Sequence, residues 1–190
     1  MASFDEILTQ VSGYIRDPSM LPVIATEINN TCSYLSRTGK FARDLREEVV
    51  ELENGTNTVG ALALNSLPGL RAVEWVMDFH TGDYFEHIDP RKHSSCPQAY
   101  YLAGPYLRFR GLSVEAELQI GYYAAPFAMH RNDPQQPVYW MLEVAPDAVT
   151  KFTAAALLDI LGDEQAARSV RAEAVVAAEA LKPYQSGVRA

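Results

Sequence analysis

The sequence predicts an α+β protein, with helices at both ends, antiparallel β-hairpins inserted between them, and an extended C-terminal tail. Three observations carry this prediction. Apolar residues recur at helical spacing from Phe4 to Leu35 and again from Phe152 to Leu181. Between Glu47 and Tyr123 the spacing changes to alternation, with β-branched and aromatic residues enriched. Gly, Pro and Asn punctuate that middle region at short intervals, as tight reversals require.

With 190 residues, about half of them apolar, the chain can bury one sizeable core, and a single domain over 1–190 is expected. A net charge of -8 argues against a surface that clamps nucleic acid, because such surfaces neutralise phosphates with clustered Lys and Arg. Cys32 and Cys96 lie far apart and form neither a disulfide framework nor a paired metal spacing, which points to a reducing compartment. Asp5 and Glu6 stand where a signal peptide would be basic, and no run approaches the length of a membrane span. A soluble protein without a signal peptide is expected, with no membrane partner.

Ser3 and Glu6 form a capping-box pattern, after which Phe4, Ile7, Leu8, Val11 and Ile15 fall on one face of a first helix ending near Asp17-Pro18. A second helix begins around Pro22, shows Ile24, Ile28, Thr31, Cys32 and Leu35 on one stripe, and meets Gly39 as its C-terminal stop. Residues 1–40 are thus a helical pair. Glu48 to Leu52 reads as a strand closed by Asn54-Gly55, and a short extended piece is expected near Gly60 to Leu64. Arg71 to Asp78 is a firmer strand, which Thr81-Gly82-Asp83 turns back into Tyr84 to Ile88 as a hairpin. Asp89 to Pro97 is polar connection.

Pro97 to Phe127 reads as a three-stranded meander. Its strands are Gln98 to Leu102, Tyr106 to Arg110 and Val114 to Tyr122, with turns at Ala103-Gly104-Pro105 and Gly111-Leu112-Ser113. Residues 45–123 therefore form a β-rich lobe. A proline-containing loop and Val138 to Val144 lead to a helix from Pro146 to Leu161 that is apolar nearly all round, interrupted by Lys151, Asp159, Thr150 and Thr153. Gly162-Asp163 stops it and caps another helix, whose stripe is Ala167, Val170, Ala174, Ala177, Ala178 and Leu181. Two helices thus fill 146–182, Pro183 ends the second, and 183–190 is expected as a mobile tail.

This order resembles the head-to-tail adaptor (connector) proteins of tailed bacteriophages. The resemblance is carried by Ile28-Asn29-Asn30 leading to Arg37-Thr38-Gly39-Lys40-Phe41, and by the run from Leu67-Pro68-Gly69 to Glu74-Trp75-Val76. Pro97 with Tyr100 to Gly104, Tyr106 to Phe109, Leu118 to Tyr123 closed by Pro126, and Pro146-Asp147 add to it. Two departures stand out: Arg110-Gly111-Leu112 replaces a proline-flanked turn, and the Gly121 to Val138 linker is long. The resemblance implies a helical bundle built from the N- and C-terminal helices, with the hairpins projecting as a lobe. It implies a homo-oligomeric ring of about twelve copies below the portal, closed by head-to-tail contacts. Such a ring extends the DNA channel, lets DNA pass without specific binding, and offers an attachment site to a tail or neck component. Neither a cofactor nor enzymatic activity is expected.

On this resemblance Pro183, Tyr184, Gln185, Val188 and Arg189 form the portal-docking tail, and Phe152, Ala155, Leu158, Tyr106 and Tyr122 are candidates for the subunit interface. A well-covered monomer core explains the all-round apolar helix equally well. Two rivals remain beside it. His80, His87, His93 and Cys96, with Asp78, Asp83, Glu86 and Asp89, are metal-ligand types in a short span, but no compact pair such as HxxxH occurs among them. Tyr100, Tyr101, Tyr106, Tyr122 and Tyr123 would let a monomeric or dimeric module stack a small ligand, since aromatic faces serve sugars and bases. His130, Arg131 and Asp133 in the long loop are a candidate anion site. No GxSxG elbow or Gly-rich phosphate loop is present, and only Cys96 stands close to a histidine, His93.

Overall fold

A computed structural model describes residues 2–53, 60–91, 96–112, 115–133 and 137–185. The chain divides into two compact units, Met1–Arg43 with Pro126–Ala190, and Asp44–Ala125. It is a mixed α+β protein: among the described residues there are five α-helices, an antiparallel three-stranded sheet and a mixed four-stranded sheet.

The first unit is helical. Helix α1, Phe4–Ile15, starts at the capping box: Glu6 N–H donates to Ser3 Oγ at 3.2 Å, and Ser3 N–H donates to Glu6 Oε2 at 2.7 Å. Two of the orphan donors of the first turn are thereby satisfied. Helix α2, Leu21–Arg37, buries the predicted stripe of Ile24, Ile28, Thr31, Cys32 and Leu35 and adds Ser36. Its end differs from expectation. Gly39 has no left-handed backbone, and a right-handed Thr38 closes the helix through its N–H to Leu35 O at 3.1 Å.

Val138 to Val144 contains a short helix α3, Trp140–Val144, followed by α4, Pro146–Ile160, and α5, Glu164–Ala177. Burial of α4 on several sides follows from its packing against α1, α2 and α5. The threonines that interrupt its apolar surface are themselves inside. Thr153 Oγ1 donates to Thr31 Oγ1 at 3.0 Å, and Thr150 Oγ1 donates to Gln10 Oε1 at 3.1 Å. Each hydroxyl replaces a lost water partner and ties α4 to another helix. Asp163 caps α5 by accepting from Ala166 N–H.

Two expectations about the β unit are corrected. Its strands are β1 Leu45–Glu53, β2 Ala61–Ala63, β3 Leu70–Asp78, β4 Glu86–His87, β5 Ala99–Ala103, β6 Tyr106–Arg110 and β7 Glu115–Ala124. Strands β5 and β6 form the predicted hairpin, but β7 does not continue it as a meander. It crosses to the centre of the first sheet, ordered β1-β7-β3, with Val50 opposite Leu118 and Val76 opposite Ile120. Burial of Gly121 through Ala124 in unbroken sequence marks β7 as a central strand, which an alternating pattern alone does not reveal.

The second correction concerns Tyr84 to Ile88. The turn after β3 closes as expected, with Asp78 Oδ1 accepting from His80 and Thr81 N–H at 2.9 Å each and Met77 bridging to Tyr84. Phe85 N–H still reaches Val76 O, after which the chain leaves β3. Glu86 and His87 then pair in parallel with Ala99 and Tyr100, giving the second sheet the order β2-β6-β5-β4. Phe85 is the pivot, buried and edge-on to Phe109 at 6.2 Å. Leu52, Val76, Leu118, Ile120 and Tyr122 of the first sheet share one core with Leu62, Tyr100, Leu107 and Phe109 of the second. Each such fully buried aliphatic side chain contributes about 2 kcal/mol of transfer free energy.

Candidate functional site

The C-terminal segment is anchored further along than the sequence predicts. Residues Ala178–Tyr184 continue α5 as a 3₁₀ helix with Pro183 inside it, and Gln185 bridges to Phe41 in antiparallel fashion. The Tyr184 ring lies 5.6 Å from that of Trp140, and the Arg43 guanidinium sits 5.4 Å from the Tyr184 ring centre and 6.0 Å from that of Trp140. Arg43 Nη1 also faces Glu143 Oε2 at 3.6 Å, and Phe41 stands edge-on to Trp140 at 5.4 Å. Tyr184 and Gln185 are therefore parts of the helical unit and not of a mobile tail. Pro183 is exposed, and Val188 and Arg189 lie outside the described residues.

The predicted interface residues separate by burial. Ala155 and Tyr122 are fully buried and Leu158 is nearly so, and each belongs to a core of its own unit. Phe152 and Tyr106 reach the surface. Phe152 lines a cleft of about 340 Å³ with Glu27, Asn30 and Tyr34 of α2, Ala156 of α4 and Arg171 of α5. Its ring is 6.1 Å from that of Tyr34, which is 59% exposed. Across the same helices Lys151 pairs with Glu173 at 3.2 Å and Arg171 with Asp159. The hydrogen bond to Glu173 holds the Lys151 ammonium charged beyond its usual range.

The five tyrosines do not form one platform. Tyr100, Tyr122 and Tyr123 are buried, and burial pushes the Tyr100 and Tyr122 hydroxyls up from the ordinary phenol value. Tyr101 and Tyr106 remain on the outer face of the second sheet. Each carries an arginine, with Arg110 Cζ 5.4 Å from the Tyr101 ring and Arg108 Cζ 5.3 Å from the Tyr106 ring. Sequence reasoning missed these two arginines as functional candidates, although their alternation with Leu107 and Phe109 was visible.

The metal-ligand types are dispersed. His80 Nε2 is 3.1 Å from Glu117 Oε2, the His87 ring packs 5.1 Å from that of Tyr100, and Cys96 Sγ donates to Gln98 O at 3.0 Å. Asp89 is engaged by Arg91, whose hydrogen bonds hold its carboxyl below the usual range, and His93 lies outside the described residues. Among the described residues no three His, Cys, Asp or Glu side chains stand close enough to hold a metal ion. Burial pushes the Cys32 thiol up to about 12, and a hydrogen bond with Glu86 raises that of Cys96, so both favour the protonated form.

His130, Arg131 and Asp133 are all exposed, in a loop whose base is fixed by Asn29. That side chain accepts from Met129 N–H at 2.8 Å and donates to Met129 O at 2.9 Å. Among the described residues no helix is long and apolar enough to cross a membrane. Neither a protein-family model nor a curated protein matches the chain.

Proposed function

We propose that this chain is a structural head-to-tail adaptor of a tailed bacteriophage, a helical bundle with an inserted β lobe that works by assembly and not by catalysis. The observation that carries the reading is the division of the chain. Helices from both ends share one core, while Asp44–Ala125 is a compact β-rich insertion with its own core. That is the arrangement which the order of elements, helix pair, hairpins, helix pair, implies for such adaptors. Residues 1–190 act as one adaptor domain in this reading. About twelve copies form a ring below the portal in the virion, after assembly in the bacterial cytoplasm, and the ring extends the DNA channel and receives a tail or neck component. The chain's acidic balance suits a lumen through which DNA passes without being held.

Tyr184 and Gln185 hold the C-terminal segment to the helical unit, so Pro183 and the residues beyond Gln185, including Val188 and Arg189, carry the proposed contact with the portal. The mass of the purified protein, alone and mixed with portal-containing heads that lack tails, tests the proposal. The expected result is a ring-sized particle, or a monomer that joins the heads in fixed stoichiometry. A monomer indifferent to heads overturns it. Removing residues 186–190 should abolish attachment, with a thermal melt beside it to verify folding.

A further inference from the structure

The β unit has two outer faces, one on each sheet, and they differ in charge. On the second sheet the pleat of β6 turns Leu107 and Phe109 into the core and Tyr106, Arg108 and Arg110 outward. Tyr101 of β5 lies opposite Arg108 on the same outer side. The arginines form no salt bridge among the described residues, and each guanidinium rests over a tyrosine ring at 5.3 to 5.4 Å. The flanking register partners, Ala61, Ala63 and Ala103, are small, so the four long side chains stand clear of the sheet. Glu86, opposite Ala99 on β4, has its carboxylate engaged by Cys96.

The outer face of the first sheet is acidic and apolar. Glu47, Val49 and Glu51 of β1 lie beside Gln119 and Glu117 of β7, Trp75 and Met77 continue the row across β3, and Phe79, just past the end of β3, donates its N–H to Glu117 O at 2.8 Å. Tyr84 joins them through its bridge to Met77 and its ring contact with Trp75 at 6.1 Å. Val49 is 47% exposed, Phe79 49% and Tyr84 65%, an apolar face rimmed by carboxylates that no described residue of the β unit covers.

We propose that a second copy of this chain covers these faces, the arginine–tyrosine face of one copy packing on the acidic, apolar face of the next. The chemistry matches on both counts. Guanidinium groups find the carboxylates of Glu51 and of Glu47, which within the chain accepts from Gln119 Nε2 at 3.0 Å, and the aromatic faces of Phe79 and Tyr84, which attract cations through their quadrupoles, while Glu117 is already held by His80. A polyanion is the poorer occupant, because the chain carries a net charge of -8 and the basic face holds two arginines. Two unlike faces on opposite sides of one unit make a head-to-tail contact, which closes into a ring when its rotation permits. The inference rests on the ring reading for the expectation that copies meet, and on the two sheets for where they meet.

Charge reversal in the full chain tests it. One variant carries Arg108→Glu and Arg110→Glu, another Glu47→Lys and Glu51→Lys, and Arg110→Glu alone serves should the first fail to fold. Association is read by sedimentation, free and on portal-containing heads, beside a thermal melt that verifies folding. Each variant should associate at least about tenfold more weakly than the unaltered chain, whose own association should weaken as salt is raised. Mixing the two reversed variants should restore assembly, because each reversed face then meets its complement in alternating copies. A reversed variant that associates like the unaltered chain, or a mixture that does not recover, overturns the surface assignment and leaves the ring standing. An unaltered chain that stays monomeric in both settings overturns the ring as well. Loss of binding to a single-stranded oligonucleotide on arginine reversal, with association unchanged, would assign the face to nucleic acid instead.

Discussion

Gly121 holds Trp75 against the first sheet because it has no side chain. A Cβ at that position would stand 2.2 Å from Trp75 Cε2, so Gly121→Ala must push the indole aside. Because the obstacle is a side chain that can swing outward, the expected loss in urea unfolding is about 1 to 2 kcal/mol, with a red shift in Trp75 emission. Gly111→Ala should cost more, about 3 kcal/mol. There the new Cβ meets the backbone oxygen of Pro97 at 1.9 Å, and φ is already +75°. The turn at Gly111 was legible in the sequence, but neither close approach was, because Trp75 and Pro97 are distant along the chain from the glycines they meet. Cys32 shows the opposite case. Its place on the α2 stripe was read from spacing, and its thiol pKa follows from that burial. The folded state keeps the proton while the unfolded chain releases it, so stability falls as pH rises above about 9, by roughly 1 kcal/mol per pH unit. Cys32→Ala should be less stable at neutral pH and show a flatter decline between pH 9 and 10.5 in chemical denaturation. Buried Tyr100 and Tyr122 keep some decline in both proteins above pH 10.

Among the elements, the helices were the most legible because a stripe and its caps are written in consecutive residues. Ser3 and Glu6 announced α1, and Ser3→Ala should lower thermal stability by about 1 kcal/mol. The segment beyond α5 departs from the expected mobile tail for a physical reason. Tyr184 is a single large apolar residue among polar ones, and its partner Trp140 is far away in sequence, so spacing gives no hint that it is held. Tyr184→Ala should uncover Trp140, red-shift its emission and speed amide hydrogen exchange across Ala178–Lys182, while the α2 and α4 core stays intact. The β elements divide in the same way. Among the described residues strands and turns were located within a few residues, the Asn54-Gly55 reversal lying outside them, but the partner of β7 was not, because the alternation in Ala116, Leu118 and Ile120 says which side is buried and nothing about the neighbouring strand.

For the whole molecule, the proposed assembly has a signature that distinguishes it from simple hydrophobic clustering. If the unlike outer faces of the β unit join copies, self-association should weaken with added salt and alternate strictly in mixtures of reversed variants. Association driven by the apolar row alone would be insensitive to salt or strengthened by it. The candidate interface residues chosen from sequence were apolar helix and strand positions, and the fold spends Ala155, Leu158 and Tyr122 on its own cores. A long apolar run does not distinguish a residue buried in its own subunit from one covered by another, since the driving force is the same area removed from water. Only Phe152 and Tyr106 of that set remain available at the surface, and Tyr106 lies in the arginine–tyrosine face.

Local order determined what the sequence could determine by itself. Caps, stripes, turn residues and alternation act over a few consecutive positions, and they set the helices at both ends, the strands between them, and the acidic, mixed α+β character of the chain. Tertiary structure alone decided which strand lies beside which and where the C-terminal segment is pinned. It also decided which tyrosines are spent in the core, and that Arg108 and Arg110 share a face opposite Glu47 and Glu51. Those outcomes depend on contacts between residues distant along the chain, chosen by packing and burial, and no local spacing encodes them.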